Sequence, residues 1–313
     1  MPAQVDSEFK LIEKAFRSKC RLTQPYTSIS NGDDASVHAL PAGMELAVST
    51  DIFVAGIHWP EDFPLPDAGD RAVGAALSDL AAMGAEAAWV WLGVQAVSSA
   101  DMVAVGRGVS KAVNRYQVEL AGGDTTRAPV NAISVTVGGF LPAGEAMRRN
   151  AAEVGDDIWI LGHSGSAAFG LDQWKRGVRS GIYVDRFRQV SPLLDEGRCL
   201  RQSGVRCCID VSDGLLQDAG HCAGRSEVGM HLHLDAISDY HTLLKSVSVE
   251  NAQDYVLSGG EDYGLLFTAP VSLRNNLHQS ACRIGSCEPG NRVRVSLDDK
   301  PVRMNRKGWD HFA

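Results

Sequence analysis

The chain has no long apolar run, no paired cysteine spacing and no excess of positive charge, and each absence removes a class of protein. No stretch of about 18 apolar residues occurs, so no membrane-spanning helix is expected. The opening MPAQVDSEFKLIEKAF lacks an apolar core before a small-residue cleavage site, so no signal peptide is expected either. The seven cysteines include no C-x-x-C pair. That argues against a disulfide framework or zinc ribbon and for reduced thiols in a cytoplasmic protein. Lys and Arg number 30 against 38 Asp and Glu, a formal net charge of −8. Such a balance does not suit a nucleic-acid partner, and without an apolar span no membrane partner is expected. Also missing are the P-loop, a G-x-G-x-x-G after a strand, the protein-kinase motif set, a G-x-S-x-G elbow and H-E-x-x-H.

What is present is enough apolar material for buried cores, 44% of 313 residues, and a length that suggests two domains. Apolar spacing predicts a helix over 7–19, a strand over 43–51 and an alanine-rich helix over 67–85. It then predicts a strand over 87–97 and a helix to 116 capped by Ser98 or Ser99. QVELAGGDTTR reads as a short strand and a glycine turn, and 131–142 as a further strand. A second domain opens near Pro142 and Gly144, giving domains 1–143 and 144–313. In it 155–174 reads strand, glycine turn, helix, 258–270 reads turn and strand, and further strands at 205–212, 229–235, 282–288 and 291–297 mix with helices near 191–202 and 213–223. Cys207 and Cys208 read as strand packing. This order is that of an α/β domain followed by an α+β domain.

The chemistry-bearing signal is acid beside glycine or at strand ends: Asp33-Asp34, Asp51, Asp79, Asp124, Asp210, Asp213 and Glu261-Asp262. Any one of them reads equally as a turn residue. As a set, clustered carboxylates need a counter-charge. Oxygen donors without clustered His or Cys favour Mg²⁺ or Mn²⁺, which recruit phosphate-bearing substrates. Amides at Gly122-Gly123 can approach phosphate oxygens. Arg149 is a phosphate partner or a solvated surface arginine, and Ser212 a ligand or a helix cap. His58 and Trp309 each have a plain structural alternative, and His231 and His233 read as surface residues on one strand face.

The motifs GDDAS, STD, LSDLAAMGA, GGDTTR, GDDIWILG, IDVSDGL and SGGEDY, in this order, resemble those of the thiamine-monophosphate kinases. These belong to the PurM-like superfamily, with aminoimidazole-ribonucleotide synthetase and selenophosphate synthetase. The resemblance runs from about residue 7 to the closing GWDHF. It implies a PurM-like two-domain fold, N-terminal α/β and C-terminal α+β. It also implies direct transfer of the ATP γ-phosphoryl to thiamine monophosphate, with no covalent catalytic nucleophile. By the same resemblance Asp34, Ser49, Thr50, Asp51, Asp79, Asp124, Asp210 and Asp213 would hold several Mg²⁺ ions. Gly123, Asp124, Arg149 and Ser212 would contact ATP, while His58, Glu261 and Trp309 would contact the thiamine substrate. A homodimer through N-terminal strands is implied as well. The chain departs from the family pattern at Gly264, where a second glutamate is frequent, at VSPLLDEG in place of P-x-P-R, and at Ala151. The alternatives are another ATP-using enzyme of the superfamily or a silent ATP-binding regulator. The first would need a reactive cysteine, which neither Cys20 nor the His-Phe-Ala end supplies. The second would have lost metal carboxylates, and the matched ones are intact.

Overall fold

The computed structural model describes residues 7–20, 22–302 and 308. They cluster into two compact units, one of residues up to Leu80 with Glu86–Ala143, the other of Ala81–Ala85 with residues from Gly144 onward. No helix among the described residues is long and apolar enough to cross a membrane.

In the first unit α1 (Glu8–Ile12) runs into a π-turn at Glu13–Arg17, and β1 (Thr27–Ile29) pairs with β2 (Val37–His38). Then come β3 (Met44–Val54), α2 (Leu65–Met83), β4 (Glu86–Ala96), α3 (Ser99–Tyr116), β5 (Glu119–Arg127) and β6 (Ala132–Pro142). The four long strands form one sheet in the order β3-β6-β4-β5. Only β4 and β5 are parallel, and α3 is the crossover that parallel neighbours require. Ser98 caps α3 by accepting from the Asp101 N–H, as its sequence predicts. Alanine-rich α2 buries Ala72, Ala75, Ala76, Leu77 and Leu80. Its small residues, with those of α3, let the two backbones touch. A Cβ on Gly108 would stand 1.8 Å from the Pro66 carbonyl oxygen.

Three expectations need correction here. The 7–19 helix is α-helical only to Ile12 and widens into the π-turn. The first long strand does not stop at Asp51 but runs to Val54, because Ile52, Phe53 and Val54 continue the alternation past the polar Ser-Thr-Asp. GGDTTR is not a turn. It continues β5 as a bulge, with Ala121 the extra residue between the pairs Val90↔Leu120 and Trp91↔Gly122.

The second unit contains β7 (Asp157–Leu161), α4 (Ser166–Lys175), α5 (Ile182–Arg188), α6 (Leu194–Gln202), β8 (Cys207–Asp210) and α7 (Leu215–Ser226). They are followed by β9 (Val228–His233), α8 (Ser238–Leu243), α9 (Val249–Ser258), β10 (Leu265–Ala269), β11 (Cys282–Pro289), β12 (Val293–Leu297) and β13 (Lys300–Pro301). Its sheet runs β13-β12-β9-β11-β7-β10-β8. Strands β7, β10 and the edge strand β8 are buried on both faces. Cys207, Ile209 and Leu266 enter one core with Leu215 and Val256. Cys208, Leu265 and Phe267 enter the other with Leu200 and Met147. Each fully buried Leu or Ile contributes roughly 1.5–3 kcal/mol, so this two-sided burial sets the register of β8 and β10.

Both acids of GDDIWILG are used by the fold. Asp156 accepts from Thr268 Oγ1 and the Glu153 N–H. Asp157, 2% exposed, takes Arg274 and Arg283, whose guanidinium groups hold its carboxyl below the usual range. His231 and His233 share a face as expected. They are half-buried rather than at the surface, both within hydrogen-bond reach of Ser296 Oγ on β12.

Candidate active site

In the first unit a cavity of about 770 Å³ is lined by Arg17, Asp33, Asp34, Trp91, Gly123 and Asp124 among others. Fully buried Glu119 anchors the loop that brings Asp33 and Asp34 there. Its carboxylate accepts from the Gln24 N–H, Thr27 Oγ1 and Ser30 Oγ at 2.5–2.7 Å. Trp91 Nε1 donates to Ser36 Oγ from the other side. The bulge in β5 delivers Asp124. Gly123 takes φ +155°, and a Cβ there would stand 2.3 Å from the Leu92 carbonyl oxygen, so only glycine lets the strand lie this close. Asp34 and Asp124 are both exposed.

Ser49, Asp51 and Asp79 lie outside the lining of that cavity. Ser49 Oγ donates to Asp79 Oδ2 at 2.5 Å, joining β3 to α2. Asp51 is on the Ser49 face of β3 by the two-residue period. Thr50 is on the opposite face, where its hydroxyl meets Thr136 Oγ1 at 2.8 Å. Its hydroxyl therefore does not join the Ser49–Asp79 pair. The register places Asp51 in the row Asp51–Val135–Leu92–Gly123. Asp51 and Asp124 are therefore on opposite edge strands, three spacings of roughly 4.8 Å apart. His58 Nδ1 accepts from the Val54 N–H at 3.0 Å and the ring packs on Phe53.

In the second unit Asp210 ends β8, and the next residues form a tight loop into α7. The N–H groups of Ser212, Asp213 and Gly214 all donate to Oδ2 of buried Asp218. The SGGEDY segment packs directly on this loop. Glu261 and Tyr263 N–H groups donate to the Ser212 and Val211 carbonyls, both at 2.9 Å. The structure thus brings Asp210, Ser212, Asp213 and Glu261 together. Arg149 is exposed on the same unit, and its charge reaches Asp218. Trp309 lies outside the described residues.

Burial pushes the Asp218 carboxyl up to about 7, and the neighbouring Asp213 charge adds to it. Asp262 differs from its neighbour Glu261. Its carboxylate accepts from the Gly165 and Ala167 N–H groups at the start of α4, and its enclosure pushes it up to about 7. Ligand atoms of Asp213, Asp218 and His221 lie within 4.8 Å of one another. Glu119, Asp218 and His221 were not singled out by sequence reasoning. The partners of Glu119 lie up to 95 residues away, and those of Asp218 are backbone amides of the preceding loop, which no side-chain pattern marks. Gly264 is explained by packing. A Cβ there would stand 2.9 Å from the carbonyl oxygens of Leu161 and His163, so this chain has no room for the glutamate frequent in the family.

Comparison with known proteins bears on the family and the fold. Residues 32–141 match the family described as AIR synthase related protein, N-terminal domain. The thiamine-monophosphate kinase of Escherichia coli (strain K12) is 34% identical over 324 aligned positions, covering 98% of each chain. The crystal structure of thiamine-monophosphate kinase from Stenotrophomonas maltophilia K279a is 33% identical. It superposes with a TM-score of 0.81 over 95% of this chain and 98% of that one. A solved structure described as AaThiL complexed with AMPPCP and TMP shares the fold, with a TM-score of 0.77 at 23% identity over 97% and 96% of the two chains. With full-length identity above 30% and the same fold, the chain belongs to the thiamine-monophosphate kinase family.

Proposed function

We propose that this chain transfers the γ-phosphoryl group of ATP directly to the phosphate of thiamine monophosphate, giving thiamine diphosphate and ADP in the cytoplasm. The β–γ bridging P–O bond breaks as an acceptor phosphate oxygen bonds to the γ-phosphorus. The observation that carries the reading is the set of oxygen donors retained by a member of this kinase family. Exposed Asp34 and Asp124 share a cavity, and Asp213 sits on a loop clamped to the Glu261 segment. Carboxylates and hydroxyls fit a hard divalent cation, and the Asp213 charge adds to the burial that pushes the Asp218 carboxyl up. Asp34, Asp124, Asp210 and Asp213, with Ser49, Asp51 and Asp79, would hold Mg²⁺, which when bound neutralises phosphate charge. Residues 1–143 supply most of these acids. Residues 144–313 supply Arg149 and Ser212 for the nucleotide and Glu261 for the thiamine substrate. Amides beside Gly123 approach phosphate oxygens, and His58 and Trp309 orient the acceptor.

The test is a ³¹P NMR time course with ATP, Mg²⁺ and thiamine monophosphate. Diphosphate resonances of the product should grow in step with ADP and vanish with EDTA. ATP loss without them would mean another acceptor, and no turnover would mean a silent binding protein.

We also read the first unit as a homodimerisation surface. Leu46, Val48 and Ile52 are 52%, 56% and 62% exposed on one face of the edge strand β3. A solvent-facing apolar strand at a sheet edge invites a second copy. Light scattering should give twice the chain mass. Val48→Asp should shift it to the monomer, and a monomeric wild-type protein would rule the surface out.

A further inference from the structure

Three consecutive amides at the entry to α7 converge on one atom. The N–H groups of Ser212, Asp213 and Gly214 donate to Asp218 Oδ2 at 3.1, 3.2 and 3.2 Å. Such a run of amides forms an anion-binding concavity. Here the chain fills it with its own carboxylate, from a residue 1% exposed in the first turn of α7. The Ser212 peptide is gripped on its other side as well. Its carbonyl accepts from the Glu261 N–H at 2.9 Å, and Gly260 lies so close that a Cβ would stand 2.0 Å from the same oxygen. The 212–213 peptide has its C=O held by the Glu261 N–H and its N–H, that of Asp213, held by Asp218, so this plane cannot turn. The Asp213 side chain is set in addition by Gln217 Nε2, which donates to its Oδ2 at 3.1 Å.

We infer that Asp218 is a positioning residue for phosphoryl transfer, an inference that rests on the roles proposed above for Ser212 and Asp213. It holds the 212–214 backbone in the one conformation that presents the Ser212 hydroxyl and the Asp213 carboxylate. Without it three amides lose their acceptor, the peptide planes rotate toward water or phosphate, and the two side chains lose their shared orientation. The competing role is direct coordination of a cation, since an Asp218 oxygen lies within 4.8 Å of ligand atoms of Asp213 and His221. The two roles differ in what they ask of the side chain. Positioning needs an acceptor oxygen, which Asn retains. Coordination by a carboxylate needs the charge, which Asn lacks.

The experiment uses the full chain, with Mn²⁺ binding counted by electron paramagnetic resonance in the absence of nucleotide. Amide exchange at residues 212–214 and the Mg²⁺ dependence of turnover are measured alongside. Asp218→Ala should weaken Mn²⁺ binding and raise the half-saturating Mg²⁺ about tenfold, and speed exchange at the three amides about a hundredfold. Asp218→Asn should stay within about threefold of wild type in Mn²⁺ and Mg²⁺ dependence. Asp157→Ala, a buried carboxylate held by Arg274 and Arg283, should lower Tm without moving the Mn²⁺ affinity. An Ala variant with unchanged metal dependence overturns the positioning role alone, and an Asn variant as weak as Ala assigns Asp218 as a direct ligand. If the Ala variant does not fold, the Asn variant and the wild-type amides decide, and unprotected wild-type amides overturn the inference. A wild-type protein that neither binds Mn²⁺ nor turns over overturns the site reading together with the role built on it.

Discussion

Asp213→Asn is expected to lower kcat by roughly 100- to 1,000-fold, the scale on which removing a charge-stabilising group acts in a reaction of this kind. The substitution keeps the shape of the side chain and an oxygen able to accept from Gln217 Nε2. The backbone of the loop stays pinned to Asp218, because those hydrogen bonds come from amides and not from the Asp213 side chain. The fold should therefore persist, with Tm little changed. Burial of Asp218 should become easier, since the Asp213 charge is one of the two causes that push its carboxyl up. The loss should fall on kcat more than on KM for thiamine monophosphate. Charge on the transferring phosphoryl group must be held in the transition state, whereas the thiamine ring gains nothing from this carboxylate. Asp124→Asn, on β5 of the other unit, should behave in the same way. Near-normal turnover in either variant, with the protein folded, would sink the assignment of these acids to the site.

Gly108→Ala should destabilise the protein by about 3 kcal/mol, against the sign that helix propensity predicts. In an exposed helix Ala in place of Gly gains up to about 1 kcal/mol. Here the new Cβ would stand 1.8 Å from the Pro66 carbonyl oxygen and 2.7 Å from the Asp70 nitrogen, both backbone atoms. No rotamer change relieves such a contact. α2 and α3 must move apart, at the upper end of the 1–3 kcal/mol typical of overpacking. Gly224, in the last turn of α7, is the control, because a Cβ there meets nothing within 4 Å. Gly224→Ala should stabilise by roughly 0.5–1 kcal/mol. Chemical denaturation of the two variants checks both signs at once. A neutral Gly108→Ala would mean that α2 and α3 do not pack backbone to backbone.

Much of this protein was legible in its residues taken in order. Ser98 before an amphipathic run marks a capped helix, and α3 begins there. CCID between turn residues reads as a buried strand, and β8 buries alternate residues in two cores. The acid-and-glycine motifs name a family, and full-length identity agrees. These are local signals, carried by propensity, period and capping within a few residues. The tertiary structure alone decided what each acid does. Asp156, Asp157, Asp218 and Asp262 look in sequence like Asp213 or Asp124, yet their carboxylates hold backbone amides, Thr268 or a pair of arginines. Gly122-Gly123 looks like a turn, yet both residues pair with β4 just past the bulge at Ala121. Ser49, Thr50 and Asp51 look like one ligand run, yet the two-residue period of a strand sends Thr50 to the other face. Burial, register and hydrogen-bond partnership are properties of pairs of residues far apart in the chain, and a single sequence carries no record of which pairs meet.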